Sequence, residues 1–97
     1  MSQKDQLAIP DAARKDARSF ELLRVWVASE DQHVSLRAGV WKEPGPWGTV
    51  LADLAGHIAN AISETEGISR EDALDEIEAA FLDELERPTG EPSGEIG

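Results

Sequence analysis

RVWVASEDQHVSLRAGVW, residues 24–41, sets the architecture of this chain, because a period of two runs through it on both sides of a polar break. Leu23, Val25 and Val27 alternate with Arg24, Trp26 and Ala28. After residues 29–32, Val34, Leu36, Ala38 and Val40 alternate with His33, Ser35, Arg37, Gly39 and Trp41. Successive side chains of a strand point to opposite faces, so the pattern predicts an antiparallel hairpin with one aliphatic face. A four-residue loop over 29–32 pairs Ala28 with His33, Val27 with Val34, Val25 with Leu36 and Leu23 with Ala38. Slipping by one residue sets His33 against Val27 and mixes the two faces, so the parity of the register is firm while the loop type stays open.

Upstream, residues 6–9 (QLAI) have the look of a short strand that Pro10 ends or confines to a sheet edge, since proline offers no N–H to a ladder. PDAARKDARS then reads as one or two helical turns. Downstream, KEPGPWGT is punctuation, and Gly48 or Thr49 is the expected start of a helix. Leu51, Leu54, Ala55, Ile58, Ala61 and Ile62 form its apolar stripe, and Gly67 is suited to end it in a left-handed conformation. Gly56, which costs about 1 kcal/mol relative to alanine, suggests a close helix-to-sheet approach. A second helix is signed at both ends, by Ser69 as N-cap with Glu71 and Asp72 in the first turn, and by Pro88 after Arg87. Its stripe is Ala73, Leu74, Ile77, Ala80 or Phe81, and Leu85; the opposite face carries Glu71, Asp75, Glu76, Glu78, Asp83 and Glu86. The expected fold is α+β: a two- or three-stranded antiparallel sheet, built on the central hairpin and packed on two C-terminal helices as a two-layer sandwich. Residues 6–87 are the expected domain, with a disordered N-terminus (1–5) and a disordered acidic tail (88–97) rich in Pro, Gly, Ser and Glu.

Charge narrows the partners. The net charge is −11, and it is uneven: residues 1–62 hold eight acids against seven bases, residues 63–97 twelve against two. Such a half repels phosphate backbones and anionic lipid heads, which disfavours nucleic acid and membrane as partners. With no cysteine, thiol chemistry, disulfides and thiolate metal sites are excluded, and a cytoplasmic setting is expected, as no signal-peptide pattern opens the sequence. About 80 ordered residues give a core of only about 3–5 kcal/mol, so homodimerisation is a natural expectation.

Motifs for catalysis are missing. Asp53 and His57 stand four apart on one helix, but a metal site needs further ligands at matching spacing. None of Ser19, Ser29, Ser35, Ser63 and Ser69 lies in a nucleophile elbow, and GPWG lacks the length and the lysine of a phosphate loop. The expectation is a protein that is not an enzyme and has no cofactor. What remains is the far face of the hairpin, where alternation gathers Arg24, Trp26, His33, Arg37 and Trp41. In the four-residue-loop register Arg24 opposes Arg37, an unfavourable pair unless an anion or a partner's carboxylates compensate it, and Trp and Arg are enriched at binding hot spots. These five residues are the candidate interface for an unidentified protein or for a second copy. The rival reading is internal: the arginines pair with Glu21, Glu43 or the acidic helix, and the N-terminal segment folds over the face. Two other functions stay open, a small-molecule or metal binder built on Asp53, His57 and the Trp47 loop, and an acidic carrier of a basic partner built on the helix from Ser69 to Arg87.

The runs LAIPDAARKDARSFELLRVWVA, HVSLRAGVW and PWGTVLADLAGHIANAI resemble a small bacterial family known as a domain of unknown function, over residues 7 to about 85. The resemblance implies a compact cytosolic domain and carries no activity and no site residues.

Overall fold

The hairpin is closed by two residues, not four. In the computed structural model, which describes residues 5–88 and 93–96, β1 (Leu23–Ala28) and β2 (Asp31–Leu36) pair antiparallel, with Leu23 opposite Leu36, Arg24 opposite Ser35, Val25 opposite Val34, Trp26 opposite His33, Val27 opposite Gln32 and Ala28 opposite Asp31. Ser29 and Glu30 both take positive φ, 53° and 67°, the backbone of the primed turns whose twist matches that of the flanking strands. The expected register is therefore corrected by two residues. A shift of two preserves parity, so each side chain keeps the face that alternation gave it, while every cross-strand partner changes. Neither turn residue is the Asn or Gly that tolerates left-handed backbone well. Replacing Ser29-Glu30 by Asn-Gly is expected to stabilise the protein by about 1 kcal/mol, raising the melting temperature by about 4–8 °C in a thermal scan.

The shorter loop also shortens β2. Arg37 still donates its N–H to the Leu22 carbonyl (3.0 Å), but residues Ala38–Val40 turn into a 3₁₀ helix in place of the expected strand, at the point where Gly39 offers no side chain to pack. Residues 6–9 form no strand either; they run as an arm into α1 (Asp11–Lys15), whose first turn donates from Ala13 and Arg14 to the Pro10 carbonyl. β3 (Ser93–Ile96) completes a sheet of order β1-β2-β3, leaving β1 at an edge; residues 89–92 and 97 of the expected tail lie outside the described residues.

The chain divides into two compact units, 1–37 with 94–97 and 38–93. The second holds α2 (Gly45–Glu66) and α3 (Arg70–Glu86), which pack on each other. α2 begins upstream of the expected cap, because Pro46 sits in the first turn, where its missing N–H is no loss. Gly67 (φ 73°) caps it by donating to the Ser63 carbonyl, and the Ser69 hydroxyl accepts from Asp72 N–H at 3.1 Å to open α3, as the caps in the sequence imply.

Small residues make the helix contact. Ala59 is fully buried and Ala73 is 3% exposed, whereas Leu51, Leu54, Ile58, Phe81 and Leu85 of the expected stripes are exposed. The deepest burial on each helix thus falls on an alanine, while these larger residues stay in solvent. At Gly56 the neighbour is a side chain of α3: the Arg70 guanidinium lies 3.2 Å from where a Cβ would be, and its Nε donates to Asn60 Oδ1 at 2.6 Å. An antiparallel hairpin followed by two packed helices, α+β, is thus what the periodicities predicted.

Candidate protein-interaction surface

Three of the five candidate residues share one face of the hairpin. Trp26 opposes His33, and Arg24 opposes Ser35, so the expected confrontation of Arg24 with Arg37 does not arise. Both arginines are instead gathered by residues 20 and 21. Arg24 grips the Glu21 carboxylate through Nε (3.1 Å) and Nη2 (2.7 Å); Arg37 donates from Nε to the Glu21 carbonyl (3.1 Å), and its guanidinium stands 5.5 Å over the Phe20 ring. The cations are satisfied inside the unit, and the argument that they call for a partner's carboxylates is corrected accordingly. The Arg24–Glu21 pair is itself about half exposed, which limits its contribution to at most about 1 kcal/mol. His33 Nε2 is 3.1 Å from the Ala28 carbonyl, near the turn.

Trp41 lies outside β2, which ends at Leu36. It follows the 3₁₀ turn, and its ring meets that of Trp47, at the start of α2, edge to face with centroids 5.3 Å apart and planes at 87°. The expectation failed because strand alternation was carried past residue 36, where the ladder runs out. Asp53 and His57 lie exposed on α2, and among the described residues no three His, Cys, Asp or Glu side chains form a metal-ion group. The acids Glu71, Asp75, Glu76, Glu78, Asp83 and Glu86 are exposed along α3. No helix among the described residues is long and apolar enough to cross a membrane.

A different surface emerges at the edge of the sheet. In an antiparallel pair, hydrogen-bonded and non-hydrogen-bonded residue pairs alternate. The bond from Arg37 N–H to the Leu22 carbonyl makes that pair a hydrogen-bonded one, so Arg24, Trp26 and Ala28 also turn their backbone groups toward β2. Leu23, Val25 and Val27 therefore aim both N–H and C=O outward, along the free edge. The valines among them keep their side chains in solvent, at 51% for Val25 and 75% for Val27. The edge is unguarded: LRVWVA contains no proline, lysine, glycine or acid to discourage pairing. All of β1, Phe20 and the arm, residues 5–10, are among the residues lining an open cleft of about 970 Å³. The arm adds Leu7 and Ile9, 92% and 63% exposed, and among the described residues no backbone hydrogen bond joins it to β1. Sequence reasoning missed this surface because it ranked side chains by face; the signal was the loop length, which dictates which backbone groups point out.

A solved structure from the photosynthetic bacterium Rhodopseudomonas palustrus CGA009, presented as a candidate pyruvate dehydrogenase, is similar to this chain with a TM-score of 0.74 and 26% identity, covering 94% of this chain and 93% of that one. No protein with a curated description matches. Residues 6–89 match the family described as Domain of unknown function (DUF5076), as the resemblance in the sequence implied, and the chain belongs to that family.

Proposed function

We propose that this chain is a protein-interaction module without catalysis of its own, and that it docks a partner along the outer edge of β1. The observation that carries the reading is the coincidence, at Val25 and Val27, of outward backbone groups with exposed apolar side chains. Strand addition uses these two features together, main-chain bonds for affinity and alternate side chains for specificity. An exposed apolar patch of this kind marks an interaction site more often than idle surface. Three polar side chains have structural roles: the Ser19 hydroxyl donates to the Ala13 carbonyl, the Ser69 hydroxyl caps α3, and His33 meets the Ala28 carbonyl. Trp26, Arg24 and His33 then form the face behind the docking edge and shape what can lie beside it. The activity attached to the R. palustrus protein stays with that protein.

A photoreactive residue placed at Val27 in living cells tests the reading. Discrete adducts are expected from position 27, none from position 75 on the acidic face of α3, and loss of the adducts when Val25→Lys is added. If position 27 yields no adduct, the edge is not a docking site.

A further inference from the structure

We infer that the occupant of the β1 edge is a second copy of this chain, paired β1 to β1 in antiparallel fashion about a two-fold axis through Val25, an inference that rests on the docking reading above. The register follows from which backbone groups are free. Only residues that aim N–H and C=O outward can form the hydrogen-bonded pairs of a new ladder, and these are Leu23, Val25 and Val27. With Val25 on the axis, Val25 meets Val25 of the second copy and Leu23 meets Val27 in both directions, so every outward group on β1 finds a partner. On one face this pairing assembles only aliphatic side chains. On the other it sets Arg24 of each copy against Trp26 of the second, a cation facing an aromatic ring and no cation facing its twin.

Neighbouring two-fold registers are worse. One opposes Arg24 to Arg24 of the second copy, and the other drives Leu23 against the turn residue Ser29. Charge over the whole chain selects the same unit for self-contact. Described residues 5–37 carry six acids and five bases, whereas residues 38–88 carry twelve acids and three bases. Two copies can approach through the nearly neutral hairpin unit without the repulsion that the helix unit would impose. The pairing joins two sheets of order β1-β2-β3 through their β1 edges and leaves neither β1 open.

The absence of cysteine from the sequence makes the test clean, since each introduced thiol is the only one in its chain. Val25→Cys, Leu23→Cys, Val27→Cys and a surface control, Asp75→Cys, are made in the full chain and oxidised mildly at equal concentration. In the paired arrangement Cα atoms of opposed residues stand about 5.5 Å apart, within the reach of a disulfide. Val25→Cys is expected to convert mostly to covalent dimer. Leu23→Cys and Val27→Cys are each expected to stay monomeric alone, as Asp75→Cys does, and to cross-link when mixed. Monomeric Val25→Cys together with a mixture that does not cross-link overturns the inference, and so does Val27→Cys cross-linking with itself as readily as with Leu23→Cys. Should Val25→Cys lose its circular dichroism, the mixture alone decides. Failure here with photoadducts to a different protein at position 27 removes the second copy and leaves the docking edge; failure of both removes the edge.

Discussion

Ala59→Asp is expected to dissolve the helix pair. Ala59 has no exposed surface, so a carboxylate there loses its water, and the Arg70 guanidinium near this stretch of α2 already donates to Asn60 Oδ1. An uncompensated buried charge costs about 3–5 kcal/mol, which equals the whole margin expected of a core this small. Far-UV circular dichroism should show the loss of most helix signal, or a urea midpoint near zero. Ala59→Leu, which adds volume to a contact made by small residues, should cost about 1–3 kcal/mol. Leu54→Asp is the control: it changes an exposed residue of the same helix and should leave the helices in place. A midpoint for Ala59→Asp close to that of the parent would mean that the alanines do not make the helix contact.

The second large effect separates folding from docking with two prolines on adjacent residues. Val25 turns its N–H away from β2, so Val25→Pro removes no bond of the hairpin; proline is tolerated on edge strands in this setting. Trp26 turns its N–H toward β2, so Trp26→Pro takes a ladder bond and the aromatic packing together and should unfold the hairpin. Association is lost with the fold in Trp26→Pro, whereas Val25→Pro acts on the edge alone. In a symmetric pair Val25→Pro deletes one outward hydrogen bond from each copy, and at about 1–1.5 kcal/mol apiece the association should weaken about a hundredfold. Sedimentation as a function of concentration reads this, with circular dichroism confirming that the variant is folded. If Val25→Pro unfolds the chain as Trp26→Pro does, the inward and outward assignments along β1 are wrong.

The strand period, the two helices and the caps at Gly67 and Ser69 were legible in the sequence because each is a local property of a few residues. Face assignment along β1 was legible too, since a period of two survives any even shift. The loop was not: Ser29-Glu30 lacks the Asn-Gly signature, and the backbone adopts positive φ there because the strand twist demands it. From that one misreading followed the false opposition of Arg24 and Arg37 and the overlong β2. The helix contact escaped for another reason. Hydrophobic stripes are read from large residues, while the deepest burial on the two helices falls on the small Ala59 and Ala73. The proposed docking edge was not legible, since which backbone groups stay unpaired depends on the register and on β3 lying beside β2.

Amide hydrogen exchange resolved along β1 tests the docking edge most directly. Arg24, Trp26 and Ala28 bond to β2 and should be protected at every dilution that leaves the protein folded. Leu23, Val25 and Val27 should be protected in concentrated protein and lose that protection on dilution, in step with one another and with the fall in sedimenting mass. If these three amides exchange as freely as an unfolded chain in concentrated protein and in cell extract alike, nothing docks on the β1 edge and the account is wrong.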